Sequence, residues 1–284
     1  DETSERFIGE WAETRGIRDQ LFIATKYSTG YKRSDPKITQ FVNYMGNNLK
    51  SMNLSVNDSL KKLRTGYIDL LYVHWWDWDT SIEEVMDGLH NLIVQGKVLY
   101  LGASSMPAWL VAKANEYAKY NGKTQFAVYQ GEWSIMRRHA FERDLIPLAR
   151  EYGMALAPWG VLVQGKIRTD AEEQQRRETG EEGRKLLVDW ERKPDEVKMA
   201  LALEKVAQEV GVQSISAVAI AYVMQKATHV FPILGGRKVE HLEQNLQALD
   251  ITLSSQQMEF LESQVPLEHD FPQRIIVSLF VLSK

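Results

Sequence analysis

The chain has 284 residues, of which 44% are apolar and 25% charged, the mixture expected of a globular domain. Its net charge of −4 and the lack of a basic block argue against a nucleic-acid partner, and no run of about eighteen apolar residues predicts a membrane span. It has no cysteine, which excludes disulfides, thiolate zinc sites and a cysteine nucleophile; we predict no metal site, and a reducing cytoplasm fits best.

The first residues have the pattern of a helix that has just begun. Thr3 or Ser4 is expected to cap this helix, and Phe7, Ile8 and Trp11 to form its apolar side.

Beyond this helix, short apolar runs alternate with longer amphipathic segments. The runs lack strict polar alternation, as expected for strands covered on both faces: Leu21–Thr25, Ile68–His74, Val98–Ala103, Phe126–Tyr129, Met154–Pro158 and Val230–Leu234. The helical patterns between them are Phe41–Leu63, Ile82–Gln95, Ala108–Tyr120, Arg143–Glu151 and Val197–Val210. Strand followed by helix, repeated, predicts right-handed βαβ units and a parallel sheet.

Six units suit a doubly wound sheet, whereas a closed barrel needs eight. A doubly wound dinucleotide fold carries a Gly-rich turn after its first strand, but the nearest candidate, Gly235-Gly236, follows the last run. The absence of a Gly-rich turn after the first strand therefore favours an α/β fold of the (β/α)8 TIM-barrel lineage, although six strands cannot close such a barrel. We expect one domain over residues 1–284, with a charged segment at about 168–194 that forms a solvated helical insertion or a mobile lid, and an apolar tail at about 274–284 that packs or is disordered.

In a parallel barrel the side chains at the carboxyl ends of the strands converge. Lys26 and His74 both directly follow apolar strands, so each must find a partner or shift its pKa, which makes them candidate acid–base groups. A solvated lysine and a structural histidine are the ordinary interpretations, and finding both at equivalent strand ends gives the functional one about equal weight. The other strand ends carry Ser104, Ser105, Gln130, Trp159, Gly235, Gly236 and Arg237.

Four segments, in order along the chain, resemble the aldo-keto reductases. Leu21–Lys26 is similar to the strand that ends in the family's catalytic lysine, and Ile68–Asp77 to the strand that ends in its histidine. Gly96–Ser104 is similar to a G-K-x-x-x-x-G-x-S stretch, and Pro232–Asn245 to the cofactor-phosphate segment. Within the family, Trp75-Trp76-Asp77 and three further Trp-containing motifs look most like fungal aryl-alcohol dehydrogenases and the norsolorinic-acid-reductase-like enzymes of polyketide pathways: Pro107–Trp109, Gln130–Trp133 and Ala157–Gly160.

The resemblance implies an oxidoreductase of fungal secondary metabolism that moves a hydride between NADP(H) and a small aromatic substrate. Lys26 and His74 would be the catalytic lysine and histidine. Ser104, Ser105 and Gln130 would face the nicotinamide amide, and Trp159 would stack on the ring. The adenosine phosphate would be surrounded by Gly235, Gly236, Arg237, Gln244 and Asn245.

Three departures qualify what the resemblance implies. Ser105 stands where many members have Asn and this subgroup has Asp. His241 stands where many members place an arginine on the 2′-phosphate, which leaves Arg237 or Lys238 to hold it. The family's tyrosine acid and the aspartate that pairs with its lysine would precede residue 1, so we expect an N-terminally truncated barrel.

Three functions stay open at this point. The chain could be an NADP(H)-dependent reductase or dehydrogenase, although losing the catalytic acid commonly costs about 10²–10⁴-fold. It could be a redox-silent enzyme that uses Lys26 and His74 for dehydration, isomerisation, cyclisation or an aldol-type step. It could also be a non-catalytic remnant. Without the first two strands, exposed sheet edges would favour a homodimer.

Overall fold

The computed structural model describes residues 2–180, 191–267 and 275. Its strands are β1 (Ala24–Tyr27), β2 (Ile68–Val73), β3 (Val98–Ser104), β4 (Phe126–Glu132) and β5 (Ala155–Trp159). Its helices are α1 (Thr3–Arg15), α2 (Leu49–Leu63), α3 (Ile82–Val94), α4 (Ala108–Tyr120), α5 (Ile146–Tyr152), α6 (Asp170–Thr179), α7 (Pro194–Val210), α8 (Ile215–Lys226), α9 (Val239–Leu246) and α10 (Ser255–Gln264). The alternation of strand and helix predicted from the sequence is confirmed.

The strands are hydrogen-bonded in the order β1-β2-β3-β4-β5, which is also their order in the chain. The pairs from β1 to β4 are parallel, and their register places Lys26 beside Tyr72, Tyr72 beside Gly102 and Ser104 beside Gln130. The sixth predicted run appears as a single parallel bridge between Val230 and Leu156.

The first strand begins later than the run Leu21–Thr25 predicts, because a side chain takes one of its backbone hydrogen bonds. Asp69 on β2 accepts the Ile23 N–H at 2.8 Å and also pairs with Arg18 at 2.7 Å. A carboxylate therefore replaces a ladder partner at the entry to β1.

The chain forms two compact units. The first comprises Asp1–Gln130 with Leu148–Met154, and the second Gly131–Pro147 with Ala155–Lys284. In the first unit, strand residues such as Leu71 and Leu101 are buried together with Met52, Val85 and Leu89 of the helices. In the second unit, Leu203 and Val206 of α7 and most of α8 are buried.

The first helix differs from its prediction in both its cap and its packing face. Its N-cap is Glu2, which makes no capping hydrogen bond through its side chain, and not Thr3 or Ser4. Phe7, Ile8 and Trp11 are 69%, 40% and 44% exposed, so the apolar side does not pack as expected. The helix packs through Gly9 and Ala12 instead. A Cβ on Gly9 would lie 2.4 Å from the Lys62 carbonyl oxygen, so α1 and α2 approach each other backbone to backbone.

The charged insertion contains α6, which begins with a capping box formed by Thr169 and Glu172. In the described part of the insertion, three charged side chains are not solvated: those of Arg168 and Arg192 are only 3% and 5% exposed, and both pair with Glu173. Burying three charges requires such mutual pairing. The expectation for the tail lies outside the described residues except for Ile275, which is exposed.

No single helix among the described residues is long and apolar enough to cross a membrane. The pair α7 and α8 passes that test only when its two helices, bent by 87°, are taken together.

Candidate active site

Lys26 and His74 line one cavity of about 280 Å³ in the first unit. Lys26 is the third residue of β1, and His74 directly follows β2, where its N–H donates to the Tyr27 carbonyl at 3.2 Å. Burial lowers the pKa of Lys26. Burial and the charge of Lys26 together lower the pKa of His74, so the imidazole is neutral near pH 7. The two groups are brought together as the sequence predicts.

An aromatic ring lies beneath the lysine. The Lys26 ammonium lies 5.1 Å from the centre of the Tyr72 ring, close enough for a cation–π interaction. Within the described residues, Lys26 has no carboxylate partner. The ring has room because residue 102 is glycine: a Cβ there would lie 2.4 Å from Tyr72 Cδ1. Burial raises the pKa of Tyr72 to about 12.

Tyr72 and Gly102 lie at the candidate site, and the sequence reasoning missed them. The signal was available in the two-residue period of a strand, which puts Tyr72 on the same side as His74. It could be used only once the register with Lys26 and Gly102 was known.

The structure also brings Ser104, Ser105 and Gln130 together. The Ser105 N–H donates to the Gln130 carbonyl at 3.2 Å, and the two serine hydroxyl oxygens are 3.4 Å apart. Ser104 and Gln130 are buried. Ser105 has a φ of +51°, a left-handed conformation that is uncommon for a residue with a side chain and that often marks functional sites.

The loop that carries the histidine is fixed by Asn47, which is fully buried. Asn47 N–H donates to Asp77 Oδ2 and Asp77 N–H donates back to Asn47 Oδ1, both at 2.7 Å. The Asn47 amide group also donates to Ser28 Oγ at 2.8 Å and to the Trp75 carbonyl at 2.9 Å. One side chain thus joins the loops after β1 and β2, and sequence reasoning did not find it because asparagine is common in loops.

A second contact joins the same two loops at the histidine ring. The Thr29 hydroxyl lies 3.0 Å from His74 Nδ1 and accepts the indole N–H of Trp75 at 2.9 Å. His74 Nε2 has no hydrogen-bond partner among the residues that the structure describes.

Helix α1 supplies the opposite wall of the cavity. Glu5 accepts the Thr25 hydroxyl at 2.6 Å and pairs with Lys62 of α2, and all three line the cavity. The position of α1 therefore sets the shape of the space beside Lys26.

Three other tyrosines of the first unit have hydroxyls engaged by other groups. Tyr31 donates to Asp58 at 2.8 Å. Tyr27 is buried, as expected for the side of the strand opposite Lys26, and donates to the Asn47 carbonyl at 3.4 Å. Tyr129 donates to the Met106 carbonyl at 2.8 Å. Each of these groups is therefore committed to a partner other than Lys26.

In the second unit, Trp159 ends β5, and its carbonyl accepts the Trp133 N–H at 3.1 Å. The segment before residue 235 pairs with β5: the Phe231 N–H donates to the Leu156 carbonyl and the Ile233 N–H to the Pro158 carbonyl, both at 2.8 Å. The exposed loop Gly235-Gly236-Arg237 follows this segment.

This loop leads into the first turn of α9. A Cβ on Gly236 would lie 3.0 Å from His241 Cβ, whereas one on Gly235 would meet no heavy atom within 4 Å. Asn245 on α9 is buried and Gln244 is exposed. The arrangement places an open backbone and the cationic Arg237 and Lys238 at the positive end of a helix dipole, where anions are stabilised.

Comparison with known proteins is consistent across sequence and structure. A family model described as the aldo/keto reductase family matches residues 1–265. An NADP(+) aryl-alcohol dehydrogenase of Phanerodontia chrysosporium is 61% identical over 276 residues, which are 96% of this chain and 71% of the relative. Norsolorinic acid reductase B of Dothistroma septosporum is 48% identical over 273 residues, 96% of this chain and 68% of the relative.

A solved structure has a similar fold. It is a thermostable aldo-keto reductase in complex with the inhibitor epalrestat, with a TM-score of 0.69 and 25% identity. The match covers 92% of this chain and 77% of that one.

Proposed function

This chain is an oxidoreductase of the aldo/keto reductase family and of its barrel lineage, and we propose that it interconverts aromatic or polyketide-derived carbonyls and alcohols with NADP(H). The proposal is carried by one observation: Lys26 and His74 line the same cavity. The names of the similar proteins support the cofactor and the substrate class.

The residues of each unit fit the chemistry of the cofactor. In the first unit, the hydroxyls of Ser104 and Ser105 and the amide of Gln130 suit a nicotinamide carboxamide. In the second unit, the open backbone at Gly235 and the adjacent cations suit a phosphate, with Trp159 proposed to stack on the ring. Gly236, Arg237, Gln244 and Asn245 complete the proposed set, and Arg237 or Lys238 would take the place of an arginine at His241. When bound, the cofactor supplies the hydride.

The chain's own residues then act on the carbonyl oxygen. Negative charge develops on this oxygen as the carbonyl is reduced, and a cation and an N–H donor beside it lower the barrier. Lys26 supplies the cation and His74 Nε2 a hydrogen-bond donor. The Lys26 ammonium, whose pKa is lowered by burial, then gives the oxygen the proton that completes the alcohol. The lowered pKa of His74 favours the neutral ring, which orients the substrate and does not add a second positive charge beside Lys26.

Aromatic side chains near these strand ends suit a flat substrate. The rings of Trp78 and Trp109 lie 6.2 Å apart, and both are exposed. Trp78 directly follows the loop residue Asp77, and Trp109 belongs to the first turn of α4. Such a pair offers stacking surface to an aryl group.

The family membership favours hydride transfer over the redox-silent alternative that uses the same two groups. A cytoplasmic location and a homodimer stay predictions, and size-exclusion chromatography with light scattering tests the dimer.

The proposal is tested with the purified 284-residue chain, NADPH and a methoxy-substituted benzaldehyde. We expect NADPH to bind, as followed by its fluorescence, and its oxidation to match alcohol formation one to one. Lys26→Met and His74→Ala should each lower kcat/KM by about 10²–10⁴-fold, with far-UV circular dichroism unchanged. Substrate consumption without NADPH oxidation would instead support the redox-silent reaction. Failure to bind NADPH or to turn over substrate would contradict the proposal.

A further inference from the structure

The ring nitrogens of His74 have very different surroundings. Nδ1 lies 3.0 Å from the Thr29 hydroxyl, whereas Nε2 has no partner among the residues that the structure describes. A neutral imidazole carries one proton, on either nitrogen, and only the nitrogen that carries it can donate to a substrate oxygen. The tautomer of His74 therefore decides whether this imidazole can donate a hydrogen bond to the substrate oxygen.

Thr29 is held in one role by its other partner. The indole N–H of Trp75 can only donate, so it occupies a lone pair of the Thr29 oxygen at 2.9 Å. The hydroxyl has one proton to give, and within the described residues its only remaining partner is Nδ1. If the Thr29 hydroxyl donates to Nδ1, the two hydrogen bonds form a chain in which Trp75 donates to Thr29 and Thr29 donates to His74. In such a chain each hydrogen bond polarises the next and strengthens it.

The opposite arrangement is less favourable. If Nδ1 carried the proton, Thr29 would have to accept two hydrogen bonds while its own proton turned away from both partners. The two hydrogen bonds would then not form a donor-to-acceptor chain, so neither would strengthen the other.

From this geometry we infer that Thr29, oriented by Trp75, is a positioning residue that holds His74 as the Nε2–H tautomer, with its proton on the nitrogen that Thr29 does not contact. Asn47 anchors the loop that carries Trp75, because its side-chain amide donates to the Trp75 carbonyl at 2.9 Å. The catalytic consequence rests on the proposed function: Nε2–H is the donor for the carbonyl oxygen. The tautomer itself does not depend on turnover.

The test is nitrogen NMR of the ¹⁵N-labelled chain at about pH 8, where the imidazole is neutral. The chain has six histidines, and the signals of His74 are assigned by their loss in His74→Asn. We expect an unprotonated Nδ1 and a protonated Nε2 in the wild type. Thr29→Val, which keeps the shape and removes the hydroxyl, should shift the signals toward a mixture of tautomers. Thr29→Ser should restore the wild-type pattern.

The chain provides a matched control. His90 Nδ1 lies 3.1 Å from the Thr124 hydroxyl, the same type of pair outside the candidate site. Thr124→Val should alter the signals of His90 and leave those of His74 unchanged. A wild-type His74 protonated at Nδ1, or a tautomer that Thr29→Val does not change, would overturn the inference.

Kinetics separates this inference from the proposed function. If the chain reduces aldehydes, Thr29→Val should lower kcat/KM by about 2- to 10-fold, the value of one hydrogen bond, and Thr29→Ser should recover it. If the chain shows no turnover while the tautomer responds to Thr29 as expected, the proposed function fails and the positioning role stands. If the chain turns over substrate and Thr29→Val leaves kcat/KM unchanged, the proposed catalytic role of the tautomer is refuted.

Discussion

Replacing Gly9 by alanine tests whether the position of α1 sets the candidate site. The new Cβ would lie 2.4 Å from the Lys62 carbonyl oxygen and 2.6 Å from the Leu63 carbonyl carbon. Ordinary contacts begin at 3.4 Å, so the two helices would have to separate by about 1 Å. Overpacking costs about 1–3 kcal/mol, and backbone atoms, which cannot rotate away, place this case in the upper half of that range.

Alanine also improves helix propensity by about 1 kcal/mol, so the expected net loss for Gly9→Ala is about 1–2 kcal/mol. Gly88 of α3 is the matched control because it is also a buried helical glycine with a close neighbour at 2.4 Å. That neighbour is the Leu49 Cδ2 methyl, the flexible end of a side chain. For Gly88→Ala the strain and the propensity gain should nearly cancel.

Urea unfolding of the wild type and both variants measures the difference. Because α1 carries Glu5, which holds Thr25 at 2.6 Å beside Lys26, Gly9→Ala should also lower kcat/KM under conditions where it is fully folded, and Gly88→Ala should not. A Gly9→Ala variant as stable as Gly88→Ala would refute the backbone-to-backbone packing of α1 on α2.

Three further predictions concern single residues of the site. Lys26→Met should raise the free energy of unfolding at neutral pH by about 0.5–2 kcal/mol, because the ammonium is half-buried without a carboxylate partner in the described residues and burial disfavours its charge; thermal unfolding that shows no gain would contradict this. Asn47→Ala should lower it by about 2–4 kcal/mol, since it removes the buried hydrogen bond to Ser28 and leaves the half-buried Asp77 N–H without its partner; urea unfolding measures the loss, and a change below about 1 kcal/mol would count against the role of Asn47 in joining the two loops. The lowered folded-state pKa of His74 means that the unfolded chain takes up a proton first, so stability should fall as the pH drops below about 6.5. His74→Asn should flatten that slope in urea titrations between about pH 5 and 7, and an unchanged slope would refute the assignment.

The repeat of strand and helix could be predicted from the sequence because each element is encoded locally. The pattern Ala108–Tyr120 coincides with α4, and Ile82–Gln95 with α3 to within one residue. Lys26 and His74 could be predicted for the same reason, since each directly follows an apolar run at the end where parallel strands place their functional groups.

Local patterns failed where a contact between distant segments decides the outcome. The apolar residues of α1 suggested a packing face, but the helix packs through Gly9 because only a residue without a side chain allows the backbone of α2 so close. The insertion looked solvated from its charges, yet Glu173 pairs with buried arginines from both sides of it in the sequence.

By itself, therefore, the sequence determined the family, the parallel α/β architecture and the two candidate acid–base groups, since periodicity and motif spacing are properties of neighbouring residues. Only the tertiary structure decided what surrounds those groups: the Tyr72 ring under Lys26, the space that Gly102 leaves for it, and the relay from Trp75 through Thr29 to His74. These contacts join residues far apart in the chain, and strand register and loop conformation, which no local pattern specifies, set their distances.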